Sequence, residues 1–234
     1  MADVIDYKLY GSDLQLVEIE LDPGEGVRAE AGTITYMEDD IEMQTRADGG
    51  LFSGFKRMIA GEGFFITSFA NRGSRKRKVG FAAPYPGKIL AINLQDFENE
   101  LLCQRDSFIC AANGIDIDVA FTKRLGAGFF GGEGFVLQKL SGDGMAFIHA
   151  GGAVVGKRLQ KGETLRVDTG CVVGFETTVD YDIKFVGGFR NALFGGEGLF
   201  LAHLRGPGRV YLQSLPFSRL AARITATLPI PDGD

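Results

Sequence analysis

Short runs of alternating apolar and polar residues, cut at intervals by glycine, dominate the chain. Ile41-Glu42-Met43-Gln44-Thr45 and Val179-Asp180-Tyr181-Asp182-Ile183-Lys184-Phe185 put apolar side chains on alternate positions, the period of a strand with one buried face. Helical spacing is rare. Asp96–Leu102 reads as one or two turns with Asp96 as cap, and Ser218–Ile224 as a short helix capped by Ser218. The rest of the pattern predicts antiparallel strands.

The strands recur in a unit. Gly-Glu-Gly stands at 61–63, 132–134 and 196–198. Each copy is followed by an apolar run, a turn and a second apolar run. Gly142-Asp143-Gly144 and Gly206-Pro207-Gly208 fall at matching places and predict tight hairpin turns. The first copy carries the longer insertion Asn71–Lys78 there instead. Upstream, RAEAGTITYMEDDIEMQTRADGG from Arg28 resembles RVDTGCVVGFETTVDYDIKFVGG from Arg166, with Leu102–Val119 as a weaker third match. The expected architecture is all-β: an antiparallel sandwich or prism of three repeated hairpin units at about 16–94, 95–155 and 156–216. They belong to one region spanning 1–234, with 217–234 as a short helix and tail.

Composition narrows the class. Glycine is abundant, 34 of 234 residues, without a collagen period, so it punctuates turns. A net charge of −5 argues against whole-protein attraction to nucleic acid or anionic lipid. Cys103, Cys110 and Cys171 are odd in number and lack metal-ligand spacing, which suits a reducing compartment. No basic leader and no run of about 18 apolar residues is evident, so a soluble cytoplasmic protein is expected.

Long strings then become specific: AEAGTITYM with IEMQTR, the GEGFF segment, FGGEGFVLQKLSGDG, LQKGETLRVDTGCVVGF, VDYDIKFVGG and LFGGEGLFLAHLRGPGRVYLQS. Together they resemble the family of bacterial and fungal proteins named for a mitochondrial-biogenesis member. That family is also described as TRAP-like, after the tryptophan RNA-binding attenuation protein. The likeness runs from about Leu16 to about Leu215. It implies a TRAP-like β fold of duplicated units and homo-oligomers, trimers among them. It carries over no catalytic residue, and the basic insertion RGSRKRK departs from the pattern it implies.

Several short motifs invite chemistry and fail on context. Asp168-Thr169-Gly170 has the form of an aspartic-protease loop, but that reaction needs two carboxylates sharing a proton and the chain has no second such triplet. Gly126–Gly131 fits GxGxxG, yet a strand pattern follows where a helix N-terminus must receive the pyrophosphate. His149 and His203 each sit in an apolar strand with no partner at ligand or triad spacing. Cys171, between Gly170 and Val172, reads as a small packing residue.

Three features remain. The apolar Gly-Phe segments, with Phe52, Phe55, Phe129, Phe130, Phe189 and Phe194, precede the Gly-Glu-Gly turns beside basic residues. They read as interaction loops or as core packing. Glu62, Glu133 and Glu197 share one position in the repeat and read as solvated turn residues or as oxygen ligands for a cation. Arg72, Arg75, Lys76, Arg77 and Lys78 read as a solvated loop or as a phosphate-binding one. The leading expectation is a non-enzymatic oligomeric binding or assembly module using the Gly-Phe loops. No cofactor or metal is expected, the partner is a second copy, a protein or a membrane surface, and nucleic acid is disfavoured. Beside it stand a metal-binding protein or enzyme at the Gly-Glu-Gly turns, and RNA binding through 72–78.

Overall fold

A computed structural model describes residues 1–45, 66–123, 135–185 and 200–228. In chain order the strands begin with β1 (Asp6–Tyr10), β2 (Leu16–Leu21), β3 (Gly26–Glu30), β4 (Ile34–Met37) and β5 (Ile41–Thr45). They continue as β6 (Ile66–Asn71), β7 (Arg77–Ala82), β8 (Lys88–Asn93), β9 (Glu100–Gln104), β10 (Phe108–Ala112) and β11 (Asp116–Lys123). Then come β12 (Phe135–Ser141), β13 (Met145–Ala150), β14 (Val154–Leu159), β15 (Thr164–Asp168) and β16 (Val172–Glu176). The last are β17 (Asp180–Phe185), β18 (Phe200–Arg205) and β19 (Gly208–Gln213), before the helix α1 (Phe217–Thr225). The protein is mostly β.

Four antiparallel sheets result. The first has the order β1-β2-β7-β4, the second β5-β6-β3-β10-β13-β8, the third β11-β12-β9-β16-β19-β14, and the fourth β15-β18-β17. The alternation read from sequence is visible in β2, where Val17, Ile19 and Leu21 are buried and Glu18 and Glu20 face outward. One apolar cluster includes Ile19, Leu21, Val79, Phe81, Phe108 and Phe147, beneath the first and second sheets. A second holds Phe135, Leu137, Phe175, Ile183, Leu204 and Val210, beneath the third and fourth. Burial of such side chains contributes about 1.5–3 kcal/mol each.

Local chemistry recurs around the sheets. In the turn before β3, Glu25 accepts from the backbone N–H of Asp22 at 2.8 Å. Before β15, Glu163 accepts from the N–H of Gln160 at the same distance. Asn71, wholly buried, fixes the connection from β6 to β7: its Nδ2 donates to the carbonyls of Leu21 (2.9 Å) and Arg75 (2.8 Å). Its Oδ1 accepts from the N–H of Gly73 at 2.9 Å.

Three expectations are corrected. The strands on either side of the Gly-rich turns do not form hairpins. β6 lies in the second sheet and β7 in the first, β12 in the third and β13 in the second, β18 in the fourth and β19 in the third. The turns at 142–144 and 206–208 are corners at which the chain changes sheet. The pairs that do form are β5·β6, β11·β12 and β17·β18. Asp96 does not cap a helix: Asn93 caps a 3-10 turn over Leu94–Phe97 by accepting from the N–H of Gln95, and β9 follows. α1 begins one residue before Ser218, with Pro216 at its N-cap and no side-chain cap, because the Pro216 carbonyl accepts from the N–H groups of Arg219 and Leu220.

Candidate functional site

The basic segment joins β6 to β7 and returns across the first sheet. β7 lies between β2 and β4, so its outward cations face the outward carboxylates of β2. Lys76 Nζ lies 3.3 Å from Asp6, 3.2 Å from Glu20 and 3.4 Å from Asp22. Hydrogen bonding to Glu20, then to Asp6, holds the Lys76 ammonium well above the usual lysine range. Arg77 pairs with Asp40 at 2.6 Å, Arg72 with Glu42 at 2.8 Å and Lys78 with Glu18 at 3.1 Å. Arg75 gives its carbonyl to Asn71. Exposed pairs of this kind are each worth little, but a ladder of them fixes the strand and neutralises it.

Glu18 is the hub of that face. It accepts from Tyr10 Oη at 3.1 Å, from Lys78 Nζ at 3.1 Å and from Tyr36 Oη in a short bond. The Tyr36 bond, more than the others, lowers the Glu18 carboxyl below its ordinary range, against the pull of desolvation. Desolvation first, then Glu18, raises the Tyr36 phenol. Tyr36 comes from β4 and must cross β7 to arrive. Gly80 on β7 provides the path, since a Cβ there would stand 2.5 Å from the Tyr36 ring.

A second set of polar groups lies within the fold. Glu30, at the end of β3, is half-buried. Burial first and then Asp106 push its carboxyl up to about 8, with Arg105 opposing. Tyr85 donates to the Asp106 carbonyl at 3.0 Å and meets the His149 ring edge-on, centroids 4.5 Å apart. The Tyr85 ring also packs against Phe217 of α1, centroids 5.2 Å apart. His149 is 1% exposed, and neither ring nitrogen has a hydrogen-bond partner among the described residues. Burial pulls it down to about 4, so the imidazole is neutral near pH 7. Gln138 Nε2 and Ser141 Oγ are likewise buried without partners among the described residues.

The other sequence candidates have structural settings. Asp168 caps the 3-10 turn over Thr169–Cys171 by accepting from the N–H of Gly170 at 2.9 Å. Its other oxygen pairs with Arg219 of α1 at 2.7 Å. Cys103 and Cys110 are buried and Cys171 is half-buried, with burial raising all three thiols. His203 sits on β18 opposite Arg166 and Asp182. Glu62, Glu133 and Glu197 lie outside the described residues, as do Phe52, Phe55, Phe129, Phe130, Phe189 and Phe194. Among the described residues no three His, Cys, Asp or Glu side chains are grouped to hold a metal. No described helix is long and apolar enough to cross a membrane.

What the described strands do place are the roots of the Gly-Phe segments. Residues 46–65 join β5 to β6, 124–134 join β11 to β12, and 186–199 join β17 to β18. β5, β11 and β17 are each the terminal strand of their sheet. At the third root Phe185 is 58% exposed and packs against Phe200, ring centroids 5.1 Å apart. The sequence pattern located these segments, but not the terminal place of β4 in the first sheet or the Glu18 hub, which depend on partners far apart in the chain.

Four antiparallel sheets of this order, with a charged ladder on the outer face of the first, define a mostly β protein. The chain belongs to the mitochondrial biogenesis AIM24 family, whose profile matches residues 7–215. It is similar to an uncharacterised protein of Streptococcus pyogenes serotype M6, 29% identical over 222 residues, covering 92% of this chain and 87% of that one. It is also similar to a crystal structure of a Streptococcus pyogenes protein, with a TM-score of 0.78 and 26% identity. That match covers 96% of this chain and 100% of the other.

Proposed function

We propose that the chain is a non-enzymatic assembly module, a TRAP-like body of three repeated units that self-associates and presents its Gly-Phe loops to a partner surface. One observation carries the reading: every Gly-Phe segment connects the outermost strand pair of a sheet. Loops that join the outermost strands of a sheet are suited to carrying contacts that leave the core undisturbed. Exposed Phe185 at one root supports the same direction. The carboxylates around Lys76, Arg77 and Lys78 support reading 72–78 as a structural ladder rather than a phosphate-binding loop. Replacing Phe129 and Phe130 together by Ser tests the proposal. The expected result is a smaller sedimenting species with unchanged far-ultraviolet circular dichroism, and an unaltered assembly with unaltered partner binding argues against it.

A further inference from the structure

The second and third sheets follow one plan. Strands six places further along the chain replace β5, β6, β3, β10, β13 and β8 to give β11, β12, β9, β16, β19 and β14. The same step again gives β17, β18 and β15, the whole fourth sheet, and then returns to the start of the chain at β4, β7 and β2. In the first two cases the central strands pair: Cys110 lies opposite Ala29 in β10·β3, and Gly174 opposite Cys103 in β16·β9. In the third case they do not. Among the described strands β4 pairs only with β7, and β15 only with β18.

Yet β4 is built like its two counterparts. Its ladder to β7 skips a residue between Ile34 and Tyr36, as β10 does between Phe108 and Cys110 and β16 between Val172 and Gly174. The following turn closes with the same bond, Ile41 N–H to the Glu38 carbonyl, matching Ile115 to Ala112 and Val179 to Glu176. Only the covering differs. Phe108, Ala111, Val172 and Phe175 are at most 2% exposed, whereas Ile34 is 37% and Met37 44% exposed. Arg28 of β3 reaches across β10 to donate to the Ile115 carbonyl at 3.1 Å. Arg166, at the same register position on β15, has no partner among the described residues.

We propose that the free edge of β4 pairs with β15 of a second copy of this chain, in the antiparallel register of the two internal pairs. The proposal rests on the assembly reading and adds a backbone contact between copies to the loop contact named there. The chain closes the two equivalent pairs within itself and, among the described residues, leaves these two edges open, although it carries both. An open backbone edge takes up a strand of matching register. β15 is the complement that the internal pairs specify, and another copy supplies it. The register sets Tyr36 opposite Val167 and Met37 opposite Arg166, and brings the Arg166 guanidinium toward the partner's backbone at the turn after β4. One edge of each kind per copy makes the contact head-to-tail, which closes into a ring when the rotation allows.

Cysteines placed at the exposed positions 37 and 166 test this in a Cys171→Ser background. Met37→Cys protein mixed with Arg166→Cys protein is expected to form an inter-chain disulfide on mild oxidation. The double variant is expected to form inter-chain species as well. An intra-chain disulfide in the double variant overturns the proposal, because the seam then closes within one copy. Absence of any disulfide, with the wild type oligomeric by sedimentation, also overturns it while leaving the assembly reading intact. A wild type that sediments as a monomer overturns both. As a second variant, Met37→Lys is expected to shift the wild-type assembly toward monomer with circular dichroism unchanged.

Discussion

The Tyr36 ring crosses the first sheet over Gly80, and its hydroxyl reaches Glu18 on the far side of β7. One absent side chain thus lets a tyrosine from the sheet's last strand bind a carboxylate two strands away. Aromatic cover of a strand glycine also shields the backbone that the glycine leaves bare.

Gly80→Ala should therefore destabilise the fold. The new methyl would stand 2.5 Å from the ring and force Tyr36 off Glu18. Overpacking of this kind costs about 1–3 kcal/mol. Denaturant unfolding should show that cost in the wild type and a smaller one in a Tyr36→Ala background, since the two residues share one contact. Equal costs in both backgrounds would remove the relationship.

The pH dependence of stability separates half-buried Glu30 from buried His149. Glu30 is raised from 4.5 to about 8, so the folded state holds a proton that the unfolded state has released. Its contribution is full below about 4.5 and is lost as pH rises toward about 8. His149 is lowered from 6.5 to about 4, so its contribution is full above about 6.5 and is lost as pH falls toward about 4. Between about 6.5 and 8 only Glu30 acts of the two. Wild-type stability should decline across that window, and Glu30→Gln should remove this part of the decline. An identical slope in the variant refutes the assignment.

Thiol reactivity should follow burial. Cys171 is half-buried, whereas Cys103 and Cys110 are fully covered, and all three thiols are raised. A disulfide reagent at neutral pH should label Cys171 first, and the other two only as the protein unfolds. Rapid labelling of Cys110 in the native state would contradict the placement of β10 at the centre of its sheet.

Gly87 is the point at which His149 is packed. A Cβ there would stand 2.2 Å from the Ala150 carbonyl and 2.4 Å from His149 Nε2. Gly87→Ala should lower the thermal midpoint by several degrees, in line with about 1–3 kcal/mol of overpacking. An unchanged midpoint would mean that the imidazole has room to move.

Much of the fold was legible because strand alternation is a local property. Ile41–Thr45 was expected as a strand and is β5, and the run from Val179 contains β17. Pairing was not legible. Gly142-Asp143-Gly144 announces that the chain turns, but only long-range packing decides that β12 and β13 join different sheets. The helix starts failed for a related reason: Asn93 and Pro216 supply what Asp96 and Ser218 were expected to supply. In the candidate site the basic residues were visible, but their neutralisation was not. Lys76 meets Asp6, a residue 70 positions away, only because β1 and β7 flank β2. The open edge of β4 is likewise a property of sheet order, and no residue within Ile34–Met37 announces it.

Assembly is the central claim, and sedimentation of the unmodified 25.3 kDa chain over a range of micromolar concentrations tests it most directly. The account predicts a species of discrete multiple mass that persists on dilution through that range. A strict monomer at every concentration would contradict it.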